Sequence, residues 1–519
     1  MAADLRAAEL RIATQKSAVR RSAATRRAIR LNPTERWNDT VLASPRCGPL
    51  NPCSHPVPAD RERTTLHPKV RLNPASLNPN PLDSARRKAY WHLLPLLFCC
   101  YVIAYVDRAN VSIAKLTMSK DMPAFNNEVI GWGAGLFFVG YFLLEVPSAV
   151  LIEKWSARRL LTRIMVVWGV MAALTAVVRT PYQFYGVRFF LGLAEAGFFP
   201  GVVVYLTHWF PNRDRAKAVA WFLIATPVAQ IVSPKVSNAL LKIGTDETIN
   251  GAVVHHPALL GLVGWQWVYI AWGIPAVLLG LYVFLMLPDR PRDAKWLSNE
   301  ERDALEQELD REKALRSAGR RRMTVFEALR HPKVLLLAVA FFGTVTANYG
   351  IEFFLPSILQ QWYSLKLNDI TSLILLPPIV AVTGQLFVGW NSDRTKERRL
   401  HSILPIVIGA TALGLTPLTH GHIALTVACF MVAMGGIKAY QVAFWALPGL
   451  FLTEAAAAGS IGLINSIGNL GGFLGPNVMG TVQQMTGSFV GAIYYLSGSM
   501  FVSATILLLL GLGRRETSG

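Results

Sequence analysis

The sequence predicts an all-α membrane protein: twelve transmembrane helices in two six-helix halves. Three observations carry this. Apolar runs of about 20 residues, each long enough to cross a ~30 Å hydrocarbon core, recur from Tyr90 onward. The 519-residue chain is 52% hydrophobic and only 16% charged, with a mean hydropathy of +0.35, too apolar for a soluble protein of this size. A charge-dense stretch at 289–333 then divides the runs six and six, with a basic turn repeated on either side of it.

Residues 1–85 are rich in Arg, Ala, Asn, Pro and Ser without sustained apolar periodicity, and are expected to be disordered. Residues 1–89 hold 17 Lys and Arg against 7 Asp and Glu, so +10 of the formal +19 lies ahead of the first apolar run. Without aromatic interleaving or a folded basic domain, that charge reads as a cytosolic tail and not as a nucleic-acid surface. Met1 to Arg30 is Arg- and Ala-rich as in a transit peptide, whereas the Pro/Asn repeats that follow are not. A spurious upstream start is an equal alternative.

The runs fall at 90–114, 130–152, 160–178, 182–206, 216–241, 266–287, 333–357, 369–391, 401–420, 423–447, 456–482 and 490–512. In hydrocarbon each backbone polar group must be satisfied within its own element, so all are expected to be helices. Basic residues crowd alternate loops (Arg158 and Arg159, Arg213 and Arg215, 289–333, Arg394 to Arg399), which puts both termini in the cytosol. The domains expected are therefore a half at 86–288, a cytosolic linker at 289–332 with a surface helix from Ser298 to Lys313, a half at 333–513, and a tail at 514–519. Two halves with matching basic turns (153–159 and 389–399) predict parallel structural repeats, with a site between them near the membrane midplane.

Charges inside the apolar runs are the candidate functional residues, because each costs at least ~2.5–3.5 kcal/mol at the bilayer centre. In the fourth run Arg188, Gly192 and Glu195 lie on one helical stripe, with the glycine expected to open room between the charges. A purely structural ion pair is the alternative. The first run holds Asp107 and Arg108, the second ends near Glu145, the seventh holds Glu352 and the tenth Lys438. Adjacent Asp107 and Arg108 point about 100° apart, so they cannot both face lipid. Arg108 has the alternative of snorkelling if its helix ends near residue 112. Lys235, near the end of the fifth run, is expected to snorkel, Glu145 to pair with inner-face arginines, and Lys438 to bind an anion or pair with Glu352.

The five cysteines form no CxxC and predict neither a disulfide framework nor a zinc site; Cys99, Cys100 and Cys429 read as small buried hydrophobes. His255, His256, His420 and His422 lack a third ligand, so no metal is assigned, and no cofactor is expected. No phosphate loop or nucleophile elbow is present in a suitable context, which argues against an ATP-driven pump or a hydrolase.

Four stretches, Asp107 to Ala114, Arg188 to Pro211, Pro288 to Arg302 and Phe444 to Pro476, resemble the major facilitator superfamily and, within it, the anion:cation symporter family. The resemblance covers residues 88–513. It implies a twelve-helix major facilitator fold and a secondary transporter, not an enzyme, that couples a small organic anion such as tartrate, phthalate or hydroxyphenylacetate to H⁺ or Na⁺. It also implies that Asp107 and Glu195 carry the proton, that Arg108 and Arg188 bind substrate carboxylate, and that Tyr141, Trp445 and Asn465 contact substrate. The sequence departs from the family pattern at Trp155-Ser156, Lys235, Glu352 and Lys438.

The chemistry fits those roles. Arginine grips a carboxylate with a planar fork and stays charged, whereas a buried carboxyl can exchange a proton as its arginine partner comes and goes. The expected protein is a proton symporter of a small organic anion in a bacterial inner membrane, acting as a monomer, with Asp107 and Glu195 for the proton and Arg108, Arg188, Tyr141, Lys438, Trp445 and Asn465 for the substrate. Empty, the two acids should pair with the two arginines. The alternatives are a facilitator or exchanger, or a transporter-like nutrient sensor.

Overall fold

The computed structural model describes residues 80–154, 156–249, 252–317, 330–452 and 454–513. The expectations for 1–79 (with Cys47 and Cys53), Trp155, 318–329 and 514–519 (with Arg514 and Arg515) lie outside the described residues.

The amino-terminal half contains α1 (Pro81–Asp121), α2 (Asn127–Lys154), α3 (Ala157–Leu174), α4 (Pro181–Glu195), α5 (Phe198–Thr207), α6 (Asn212–Leu223), α7 (Ala225–Leu241) and α8 (Gly264–Met286). After the linker helix α9 (Asn299–Ser317), the carboxy-terminal half contains α10 (Pro332–Tyr363), α11 (Leu367–Leu373), α12 (Leu376–Thr395), α13 (Arg399–Leu415), α14 (Ile423–Phe444), α15 (Glu454–Asn469), α16 (Gly471–Thr486) and α17 (Val490–Leu510). Among the described residues, 11 segments are long and apolar enough to cross a membrane. The remaining crossing is the α15–α16 pair, two 16-residue helices that follow one another through Leu470. The fourth and fifth crossings are also built from two helices each, α4–α5 and α6–α7.

Two features differ from the expectation. The first helix starts at Pro81, inside the stretch expected to be disordered, because the Asn80 side chain caps it through the Leu82 N–H at 3.2 Å; it then runs 41 residues, well past residue 114. The loop between the fifth and sixth crossings contains an antiparallel pair, β1 (Asp246–Ile249) with β2 (Ala252–His255), so the described residues are all-α apart from that small pair.

Linker helix α9 opens with a reciprocal cap: the Glu301 N–H donates to Ser298 Oγ at 3.2 Å and the Ser298 N–H to Glu301 Oε2 at 2.8 Å. The same carboxylate accepts from Ser84 Oγ at 2.7 Å and Lys88 Nζ at 2.8 Å, which docks the linker on α1. Burial works to raise the Glu301 carboxyl, but the bonds from Lys88, Ser84 and the Ser298 N–H outweigh it and hold it down to about 2. The first basic turn is fixed by Asp289, which accepts from Ser156 Oγ at 2.6 Å and the Arg158 N–H at 2.9 Å. In the second, Arg398 donates to Asp393 at 2.6 Å.

The halves meet at the end away from the linker. There Asn127 of α2 donates to Gln483 of α16 at 2.9 Å, Asn238 of α7 to Asn368 of α11 at 2.5 Å, and Lys235 of α7 to Ser372 of α11 at 2.7 Å. Lys235 is exposed, but its ammonium bonds across the halves and does not simply reach for the interface. Of the three described cysteines only Cys100 is buried. Cys99 points outward because neighbouring helical residues diverge by about 100°, and Cys429 is half-buried.

Candidate functional site

Two helices of the amino-terminal half, α1 and α4, bring their charges to one place beside α2, and two glycines let α2 and α4 close on each other. A Cβ on Gly192 of α4 would strike the Phe137 carbonyl oxygen of α2, and one on Gly140 of α2 would strike the Phe189 carbonyl of α4, so backbones touch directly. The room at Gly192 is therefore for the neighbouring helix and not between Arg188 and Glu195. Immediately after Glu195 the helix stops: Gly197 adopts φ +93°, a left-handed conformation that suits glycine, and a Cβ there would also collide with Ser148.

Arg188, Asp107 and Glu195 are almost wholly buried, at 0%, 1% and 1% exposure. Arg108 Nε donates to Glu195 Oε1 at 2.6 Å, a charge-assisted bond between α1 and α4. The Arg108 guanidinium also lies 4.9 Å from the centre of the Tyr141 ring and 5.5 Å from that of Phe137. With thirteen residues of α1 still to follow, Arg108 is not at a helix end, so the snorkelling alternative falls. The Arg188 guanidinium lies 5.1 Å from the centre of the same Phe137 ring. None of its guanidinium nitrogens has a hydrogen-bond partner among the described residues, although Asp107, Glu195 and the Tyr269 hydroxyl are within electrostatic reach.

The expected double pairing is thus half present. Glu195 takes Arg108, while Asp107 accepts from the Trp168 indole of α3 at 2.9 Å. One oxygen of each acid (Asp107 Oδ1, Glu195 Oε2) accepts nothing. Burying a charged fork and two carboxylate oxygens without partners is costly unless they are held for another group.

Across the interface, Glu145 of α2 accepts from Asn465 of α15 at 2.7 Å. Its partners are therefore polar side chains of the other half, Ser466 and Asn469 as well as this amide, and not the inner-face arginines, and Asn465 is occupied by an acid. Trp445 is half-buried, its ring edge-on to Phe341 at 4.9 Å. Lys438 makes no hydrogen bond or ion pair among the described residues, though the Glu352 charge reaches it. Glu352 instead accepts from Tyr105 of α1 at 2.9 and 3.1 Å, Gln230 of α7 at 3.2 Å and Asn348 of its own helix at 3.3 Å.

Sequence reasoning missed Trp168, Phe137, Tyr105, Gln230 and Lys115. Tyr105 had a signal, since i and i+3 share a face and place it beside Arg108. Phe137 likewise precedes Tyr141 by one turn. Trp168, in an unbroken apolar run, had none. Lys115 was available as one more charge, one residue past the first run; it is 2% exposed, its ammonium 3.5 Å from the Phe354 ring centre and without a hydrogen bond. Among the described residues no group of three potential metal ligands forms.

Two six-helix halves enclosing paired and unpaired buried charges fit a membrane transporter. The comparisons make it specific: the family model for the Major Facilitator Superfamily matches residues 97–476, and the chain belongs to that superfamily. It is 39% identical over 428 residues to a protein of Agrobacterium vitis named as a tartrate transporter, covering 82% of this chain and 90% of that protein. It is 38% identical over 411 residues (79% and 91% of the two chains) to a quinolone resistance transporter of Acinetobacter baumannii. Such relatives agree with the anion:cation symporter branch. The fold matches the inward-facing, unoccupied crystal structure of a bacterial homolog of the human lysosomal transporter Spinster, with a TM-score of 0.62 at 17% identity over 82% of this chain and 95% of that one.

Proposed function

We propose that this transporter imports a small organic anion, of the tartrate or aromatic-acid class, by proton symport with alternating access. The observation that carries the reading is the buried Arg108–Glu195 pair at 2.6 Å with the unpartnered fork of Arg188 in the same cluster. An incoming carboxylate would replace Glu195 on Arg108 with two charge-assisted bonds, and a proton on Glu195 would remove its competing charge. Asp107 serves as the second proton carrier. Arg188, Tyr141, Lys438, Trp445 and Asn465 complete the substrate contacts, with Asn465 released from Glu145 as substrate enters.

In this reading the halves span 86–288 and 333–513, the linker 289–332, and both termini face the cytosol of a bacterial inner membrane. In that orientation the joined end faces outward. The test is uptake of radiolabelled tartrate into proteoliposomes under a pH gradient. Accumulation abolished by a protonophore supports symport, and protonophore-insensitive equilibration would indicate a facilitator or exchanger. The quinolone resistance relative favours a second reading, export of an aromatic carboxylate, which the same vesicles decide by the direction of net flux.

A further inference from the structure

We propose that an outward-facing groove between α2, α3 and α4 holds one anionic phospholipid from the leaflet next to the first basic turn. Its phosphodiester sits on Arg159 and Arg163, and one acyl chain lies in the groove. This goes beyond the transport reading and does not depend on it.

Arg163 is the only charged residue in the apolar run at 160–178. Charges at membrane depth ordinarily face the bundle interior, as Asp107, Arg188 and Glu195 do, whereas Arg163 is exposed. Arg159, Arg163, Val167, Val170 and Leu174 fall on one stripe of α3, about 80° wide, and all five are exposed. The stripe runs from two guanidinium groups near the helix start to three aliphatic side chains further in, the order in which a phospholipid presents headgroup and tail. Helical side chains lean toward the amino terminus, so both forks are carried toward the basic turn and away from the hydrocarbon.

Beside this stripe is a cavity of about 400 Å³. Arg163, Val167 and Met171 form one wall, Phe190 and Leu193 of α4 the other, and Leu144 of α2 closes it. Arg163 and Met171 are separated by about 12 Å of helix. Phe190, Val167 and Leu144 are 57%, 43% and 39% exposed, so the groove opens outward. Left empty, such walls forfeit dispersion contacts, and water finds too few polar partners there. A hydrocarbon chain fills the space. The arginines select the lipid: like charges at i and i+4 repel, and a phosphate between two planar forks replaces that repulsion with charge-assisted bonds. A zwitterionic lipid brings its own cation, which opposes the same arginines, so an anionic headgroup fits better.

The test titrates the purified full chain in detergent with dioleoylphosphatidylglycerol or dioleoylphosphatidylcholine and reads the first lipid adduct by native mass spectrometry. Each basic group near an anionic surface counts about fivefold, so Arg159→Gln together with Arg163→Gln should weaken the phosphatidylglycerol adduct roughly 25-fold and leave phosphatidylcholine unchanged. Val167→Trp fills the groove with both charges in place and should weaken both lipids. Equal binding of the two lipids by the parent, or phosphatidylglycerol binding untouched by the double substitution, overturns the proposal. Binding lost in the double variant but untouched by V167W reduces the arginines to a snorkelling contact and overturns the groove. A second measurement needs no variant: phosphatidylglycerol with a diazirine on its acyl chain should modify the parent within 163–171 or 190–193, and modification confined to other segments refutes the site. None of these readouts uses transport, so failed uptake refutes symport alone, and failed lipid selection refutes the groove alone.

Discussion

Glu195→Gln removes the negative charge that occupies Arg108 while keeping the size of the side chain and an oxygen able to accept. In the empty protein an arriving anion must displace Glu195 from a 2.6 Å bond inside a buried site. Hydrogen bonds to charged groups contribute about 1.5–3 kcal/mol, so removing the competitor should tighten anion binding by roughly 10- to 100-fold near neutral pH. It should also flatten the pH dependence of binding and abolish accumulation driven by a proton gradient while leaving exchange. Isothermal titration of purified protein with tartrate at two pH values reads the first effect, and counterflow against gradient-driven uptake reads the second. An E195Q protein that binds no more tightly than the parent, keeps its pH dependence and still accumulates would refute partner exchange at Arg108.

Arg108→Lys loses the planar fork and the Tyr141 stacking, and should weaken anion binding roughly tenfold or more in the same titration. Gly192→Val drives a branched side chain into the Phe137 carbonyl, a backbone atom that cannot swing aside; the expected cost exceeds about 1–3 kcal/mol and should appear as a large drop in thermal stability. Trp168→Phe leaves Asp107 without its described donor, and should cost about 1–3 kcal/mol in a thermal-unfolding comparison. For Glu301 the folded carboxyl lies below its ordinary value of 4.5, at about 2, so its contribution to docking is complete above 4.5 and lost as pH falls from there toward 2. Protection factors of the α9 amides should therefore be unchanged from about pH 5.5 to 8, and Glu301→Gln should lower them throughout.

The crossings were legible because their signal is length and hydropathy, which tertiary context does not alter; the first helix ran long because a polar cap at Asn80 and charged residues outside the membrane carry no hydropathy signal. The charges were legible as exceptions to that pattern. Their partners were not. Which acid takes Arg108 depends on how α1 and α4 are rotated against each other, and that rotation is a property of tertiary packing with no sequence signal. The same limit hid Asn465 as the partner of Glu145 and Tyr105 and Gln230 as partners of Glu352, since each pairing joins residues more than 100 positions apart.

The direct backbone seam between α2 and α4 has one more consequence. A contact with no side chains to repack behaves as a weld, so Tyr141, Arg188 and Glu195 would travel as a single rigid cargo in the proposed swing of one lobe against the other. In the proposed cycle, swapping partners at Arg108 would need only a turn of side-chain torsions, at the pace of rotamers, whereas the swing would have to break the bonds that Tyr105, Gln230 and Asn465 throw across the gap.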